Sequence, residues 1–439
     1  MFPFIKLFGY LAATKIVLCI YLVLFPISIM VFLKTFRPQQ WYFAILSFTL
    51  MYNYFFDFGF LPFCLGIPLV FLTIVAFRTA LEDSAPPWKL VIGCTFASLV
   101  FLSHPVNTIA LAISVLMLVR FDSKIVEART SGKHKLVSQI RKCIIMLFPI
   151  GALSAIYLAY LVFNNSGFHS PRKMFEYWSL SHQVTGIVRP LFSVNHSMDL
   201  AVIVVLVSLA FVLFFKGMLK IHRGFPLFLS IALIVFGAVL PRGAFLGGND
   251  LSSRFVLFGI IVFLGSLKAT RALVKYVTTA IVVLLFVINM ASRTNLYSDI
   301  SCLTEDYVRA TVGNIPDNQR IYTVYSAFPE ISPPPMFHAI AYYHIERGGY
   351  SPFVFTDQRH VAGIGSSINL PTSIMNWNWD CRDTVGLENA LKSYGYLVVM
   401  TARSTLPLFF ERYADKVVFR DSVCSIFKLK KDDNSESRE

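Results

Sequence analysis

The run Asp199-Leu200-Ala201-Val202-Ile203-Val204-Val205-Leu206-Val207-Ser208-Leu209-Ala210-Phe211-Val212-Leu213-Phe214-Phe215 carries one charge, at its first residue, and is followed at once by Lys216. Coiled as a helix it reaches about 25 Å, close to the roughly 30 Å hydrocarbon core of a bilayer. Runs of the same kind cover 16–33, 59–77, 143–163, 225–240, 253–267 and 273–290. Trp41–Phe56 is a shorter apolar run, a span or half-span. Lys89–Val119 is long for one crossing, and His104-Pro105 interrupts it. Proline lacks a backbone donor and disfavours helix at the residue before it. The pattern therefore predicts a helical hairpin, 90–103 and 106–119, turning at His104. The fold expected is a polytopic α-helical membrane protein of about ten spans or half-spans, with a small soluble α/β domain at its C-terminal end.

Composition agrees with that reading. The 439 residues are 56% apolar and 15% charged, against about 25% charged in ordinary soluble domains, and the mean hydropathy is +0.62. Residues 1–290 hold 24 Lys+Arg against 8 Asp+Glu, and residues 291–439 hold 15 against 17. The basic excess belongs to the membrane half. There it reads as loop charge that sets topology rather than as a nucleic-acid footprint. The division expected is a transmembrane domain at 1–290, an outer-face α/β domain at 291–430 and a charged tail at 431–439.

Basic loops face the cytoplasm in membrane proteins. The 120–142 loop carries Arg120, Lys124, Arg129, Lys133, Lys135, Arg141 and Lys142, and so is assigned inside. Counting outward from it, Lys34/Arg37, Arg78/Lys89, Lys216–Arg223 and Lys268–Lys275 also fall inside. Asp57, His104, the 164–198 and 241–252 loops and the soluble domain fall outside. Met1 falls outside too, an awkward start before Lys6 and Lys15.

In the soluble part, Arg320–Phe328, Tyr396–Thr401, 417–420 and 424–429 read as strands, and 304–313, Met336–Glu346, Leu387–Tyr394 and Leu406–Tyr413 as helices. Of seven cysteines none forms C-x-x-C. Cys302, Cys381 and Cys424 could hold at most one internal disulfide.

Walker A, G-x-G-x-x-G, H-E-x-x-H and G-x-S-x-G are all absent, and the kinase-like Asp57-Phe58-Gly59 has none of its companion motifs. Asp57, between two phenylalanines at a span boundary, reads either as a base or ligand anchor in an outward cavity, or as a helix cap. His104 reads either as an acid/base or phosphate donor, or as a structural residue bonding backbone freed by Pro105. Arg242 and Arg254 flank the glycine-rich segment Pro241–Asp250, which suits a lipid-linked phosphate. Snorkelling, or an Asp250–Arg254 pair at a helix start, explains them equally. Arg172-Lys173-Met174-Phe175-Glu176-Tyr177-Trp178 suits an interfacial helix. His338 and Tyr342, four apart near the proline loop, are a weak site hint, and Asn376-Trp377-Asn378-Trp379-Asp380 suits either sugar stacking or loop packing.

Three features together resemble bacterial GT-C-type membrane glycosyltransferases. They are the outward hairpins at Asn53-Tyr54-Phe55-Phe56-Asp57-Phe58-Gly59-Phe60 and Phe101-Leu102-Ser103-His104-Pro105, the lead-in Asn249-Asp250-Leu251-Ser252-Ser253-Arg254, and the outer α/β domain. The likeness covers most of the chain and is architectural. It implies sugar transfer from a polyprenyl-phosphate donor to an outer-face acceptor, at a bacterial inner membrane. Asp57 and His104 would then be catalytic, with Arg242, Arg254, Asp250 and His338 binding substrate. No cofactor is evident, and a divalent metal sharing the phosphate would have no visible ligand set. Family members carry an essential acid in a large first external loop. None is present here: either Met1 is the true start and the hallmark acid is missing, with Asp57 a poor substitute, or a span and loop precede Met1, which would also account for its awkward outside start. The rival reading is a non-catalytic polytopic protein, a transporter or an envelope assembly factor.

Overall fold

The computed structural model describes residues 7, 10–57, 60–82, 85–122, 125, 133–163, 188–192, 196–240, 251–325, 343, 347, 391–392, 394–400, 408, 410–422 and 424–430. They form two compact units, Met1–Met290 and Ala291–Glu439.

The first unit is helical. Its α-helices are α1 (Tyr10–Phe36), the single turns α2 (Phe48–Met51) and α3 (Tyr54–Asp57), α4 (Leu61–Ala80), α5 (Pro87–Ser103), α6 (Pro105–Phe121), α7 (Lys133–Phe163), α8 (His196–Phe215), α9 (Phe225–Val239) and α10 (Leu251–Phe263). α11 (Ala272–Asn314) begins in this unit and continues into the second. Five helical segments are long and apolar enough to cross a membrane: Lys15–Phe36, Leu61–Ala80, Val137–Tyr157, Ser197–Phe215 and Ala272–Asn314. Pro87–Ser103, Pro105–Phe121, Phe225–Val239 and Leu251–Ser266 are shorter apolar helices. Phe148, Ile156, Val207, Phe211 and Phe215 are 61–76% exposed, a surface compatible with a hydrocarbon surrounding.

The 41–56 run does not form an α-helical span. Pro38–Ser47 is a 3-10 helix, followed by the turns α2 and α3. A 3-10 helix rises about 2.0 Å per residue, so these ten residues cover roughly 20 Å, and they run back along α1. Gln40 lies near the end of α1, while Tyr21 Oη donates to Met51 O at 2.8 Å and the Tyr21 ring stacks on Phe56.

Helix ends sort into two groups. At one end, a largely covered Arg78 donates to the buried Asp122 across 3.0 Å, and Arg78 lies 4.9 Å from the Phe36 ring. Lys142 donates to Glu82 O at 2.8 Å. The strands β1 (Leu219–Ile221) and β2 (Leu267–Ala269) pair here too, with Ala269 N donating to Gln40 Oε1. At the other end stand Tyr21, Asn53, Asp57, Phe63, His104 and Arg254. Between them runs an aromatic core in which Phe63 and Phe71 of α4 pack on Phe258 of α10, and Phe71 on Phe32 of α1.

Close helix approach depends on two glycines. Ser230 Oγ donates to Gly259 O at 2.8 Å, and a Cβ on Gly259 would press on α9 backbone. Gly66 leaves room for Asn107, whose Nδ2 reaches Phe63 O at 3.1 Å and Ser103 Oγ at 3.0 Å.

In the second unit β3 (Ile321–Tyr325), β4 (Tyr396–Met400), β5 (Ala414–Arg420) and β6 (Cys424–Leu429) form a sheet of order β3-β4-β6-β5. β3 and β4 are parallel, and the other pairs antiparallel. Alternating side chains bury both faces. Ile321, Tyr396, Val398 and Ile426 pack with Tyr307 and Ala310 of α11, while Tyr322, Leu397, Val399 and Phe427 pack with Leu391 and Phe410. The sequence reading split α11 into a span and a separate 304–313 helix, whereas the backbone is one helix of 43 residues. Met336–Glu346, apart from Tyr343, and most of Leu387–Tyr394 lie outside the described residues.

Gly66→Ala would set a methyl against Asn107 and Ser103 and break the α4–α6 hydrogen bond. It should cost about 1–3 kcal/mol, read as a lower Tm in detergent. Cys302 and Cys424 are both free thiols, the first exposed and the second buried. Burial, then the Asp421 carboxylate, pushes the Cys424 thiol up to about 12 from an ordinary 9.0. Because the folded thiol ionises later than the unfolded one, this unit is at full strength below pH 9.0 and weakens as pH climbs toward 12. Maleimide at neutral pH should label Cys302 and spare Cys424 until the protein unfolds, and Cys424→Val should flatten the alkaline decline.

Candidate functional site

Pro105 opens α6 at a position whose N–H would have no helical partner, and it forces His104 out of helix, to φ −169° and ψ 140°. Extended there, His104 is the N-cap. Its Nδ1 accepts from Val106 N at 3.2 Å, and its carbonyl accepts from Asn107 N at 3.0 Å. The ring meets Phe63 edge-on at 5.8 Å.

Arg254 projects from the first turn of α10 and is 2% exposed. Its guanidinium lies 4.6 Å from the Phe60 ring, 5.0 Å from Phe63 and 5.3 Å from Phe55, a cation–π cage from one short stretch of chain. Its Nη1 stands 2.8 Å from His104 Nε2. Two residues nominated separately from the sequence, 150 positions apart, therefore meet at one end of the bundle.

This pair holds a conflict of donors. A neutral imidazole has a lone pair on only one ring nitrogen, while Val106 N–H and the guanidinium are both donors. Only one of the two contacts is a hydrogen bond at any moment. When Nδ1 caps α6, Nε2 carries the proton. In that tautomer the guanidinium contact is not a hydrogen bond, and an anionic oxygen entering between the two groups would accept from both.

Asp57 ends α3 and is half-buried, with its N–H donating to Asn53 O at 3.2 Å. Asn53 caps this turn, its Oδ1 accepting from Phe55 N at 3.0 Å and Phe56 N at 3.3 Å. Cys64 lies within electrostatic reach of both Arg254 and Asp57, which brings the carboxylate into the same neighbourhood.

No family model, curated protein or solved structure matches the chain. The site therefore has to be judged on its own chemistry.

Arg189 is the residue that the sequence reading missed. It belongs to a 3-10 turn, Arg189–Leu191, and its guanidinium lies 4.5 Å over the Tyr54 ring. The available signal was Arg189-Pro190, a cation and a turn residue at the end of the 164–198 segment. Arg242, Asp250 and His338 lie outside the described residues, as do Arg172–Trp178 and Trp377–Trp379. Among the described residues, no three His, Cys, Asp or Glu side chains converge as a metal site would require.

The capping role of His104 is separable from its reach toward Arg254. Asparagine accepts at an N-cap nearly as well as any residue, and alanine does not. His104→Ala should lose about 1 kcal/mol, seen as a lower Tm in detergent, and His104→Asn should recover most of it. Equal losses would assign the stabilisation to ring packing on Phe63.

Proposed function

We propose that this chain is an integral membrane protein that transfers a sugar from a polyprenyl-phosphate carrier to an acceptor hydroxyl, in the manner of GT-C-type glycosyltransferases. The observation that carries the reading is the His104–Arg254 pair, a ring nitrogen and a guanidinium nitrogen 2.8 Å apart at one end of an apolar bundle. An anionic oxygen bound there would meet a fixed charge in a low-dielectric setting, where electrostatic stabilisation is strongest. A lipid-linked phosphate is the anion whose apolar tail such a bundle would accept.

In this mechanism the acceptor oxygen attacks the anomeric carbon from the face opposite the phosphate, with inversion. The new C–O bond forms as the sugar–phosphate bond breaks. The hydroxyl proton passes to the Asp57 carboxylate, and the bonding pair leaves on the lipid phosphate, which Arg254 and His104 Nε2–H hold. Phe55 and Phe63 are fully buried, whereas Phe60 is partly exposed. The phosphate therefore reaches Arg254 by displacing the Phe60 ring.

The site lies at the helix ends opposite the basic loops, which the positive-inside rule assigns to the cytoplasm. On that topology the chain sits in a bacterial inner membrane, with the site and the second unit on the outer face. The 38–57 segment, a 3-10 helix and two single turns, then counts as a return toward that face, and the lipid bilayer and the lipid-linked donor are the partners of the chain.

The test is transfer from a panel of polyprenyl-phosphate sugars in proteoliposomes, with product followed by mass spectrometry. Arg254→Ala and His104→Asn should each lower turnover by about 10²–10³-fold at unchanged folded yield, and Arg254→Lys should recover only part. Transfer undiminished in both variants, or none by the parent protein with any donor, would leave the non-catalytic reading standing.

A further inference from the structure

The end of the bundle away from the proposed site carries a second feature. β1 and β2 pair antiparallel with Lys220 directly opposite Lys268. Opposed residues in such a pair point to the same face, and like charges there destabilise the ribbon. The ribbon is nevertheless locked. His222 N donates to Ser266 O at 2.7 Å and Thr270 N to Met218 O at 2.9 Å, closing it at both ends. Leu219 is buried, and Gln40 Oε1, also taking the Tyr42 hydroxyl, accepts from Ala269 N. The two lysines cannot slip apart by changing register.

More positive charge converges on them. Arg37, at the end of α1, and Lys268 both act on His222, which burial first, and then these two cations, hold below the usual imidazole range. Two cations elsewhere at this end have acidic partners. Arg78 has Asp122, and Lys89 has Glu82. None of the ion pairs among the described residues includes Arg37, Lys220, His222 or Lys268.

We propose that Arg37, Lys220, His222 and Lys268 form a binding site for a phosphate anion, with the β1–β2 ribbon as its floor. A phosphate between the lysines removes their repulsion and takes charge-assisted hydrogen bonds from several donors at once. The group lies at the basic ends of apolar helices, where a phospholipid headgroup is the nearest source. A soluble phosphate offers the same chemistry. The inference rests on the membrane reading and is independent of sugar transfer.

The test uses the full chain in nanodiscs of phosphatidylcholine alone or mixed with phosphatidylglycerol, and in phosphatidylcholine discs with inorganic phosphate. Tm and native mass spectrometry of retained lipid are the readouts, and no sugar donor is present, so the outcome is separate from that of the transfer assay. Phosphatidylglycerol should raise Tm. Lys268→Glu, which sets a carboxylate opposite Lys220, should be more stable in phosphatidylcholine and lose that rise, with anion affinity down roughly tenfold or more. The neutral pair Lys220→Ser with Lys268→Ser should lose it as well. Arg141→Ser, a cation elsewhere on the surface, should keep it. Protection by inorganic phosphate alone supports the site with a soluble ligand, and protection by phosphatidylglycerol alone supports it with a lipid. Equal loss in Arg141→Ser and Lys268→Glu, or no response to either anion, would overturn the proposal.

Discussion

A proline has no N–H to give and crowds the residue before it, and at Pro105 these two facts organise one end of the helical unit. They end α5 at Ser103, extend His104, and start α6 one residue later. Val106 is buried at the helix start, where its orphan N–H needs an acceptor, and the His104 ring supplies one. Once the ring caps α6, its other nitrogen is aimed outward at the place where Arg254 arrives from α10. The functional candidate is thus a by-product of a local backbone requirement, and the arginine adds the charge.

Hydropathy reads environment and not hydrogen-bond pattern, which explains what the sequence disclosed and what it did not. The hairpin at His104 was legible because proline acts on the backbone directly. The strands of the second unit were legible because a sheet buried on both faces leaves continuous apolar runs such as Tyr396–Met400. The 38–57 segment was not, since a 3-10 helix and an α-helix of the same apolar residues have the same hydropathy. α11 was split in the reading because its polar half, from Ser292 onward, changes surroundings without changing conformation. At the site, Arg254 and His104 could each be nominated as a costly polar residue in an apolar run. Their meeting was invisible, because it depends on how α10 packs against α4. Asn53 caps α3 because a cap must precede the N–H groups it serves.

Two arginines of the bundle are handled in opposite ways. Arg78 is matched by Asp122 within the packed helices, which leaves that cation little to offer a ligand. At the His104 end, the guanidinium is caged by ring faces, whose quadrupoles attract a cation without cancelling its charge. Its field still reaches neighbours such as Cys64. Ring faces can thus surround a buried cation while its field still acts on a neighbour.

α4 binds these features into one mechanical piece. Within its first six residues, Leu61–Gly66, Phe63 packs on Arg254, on His104 and on Phe258, its carbonyl accepts from Asn107, and Gly66 admits that asparagine. The spacing between the cap of α6 and the start of α10 is therefore set by the same contacts that hold the helices together. A shift of α4 by the width of one methyl group would move the phenylalanine face and both donors together, and catalysis tolerates displacements of about 1 Å poorly. Loss of function on this helix consequently says little about chemistry unless the fold is shown to be intact. Substitutions at the His104 ring, where cap and donor reside on different nitrogens, separate the two most cleanly.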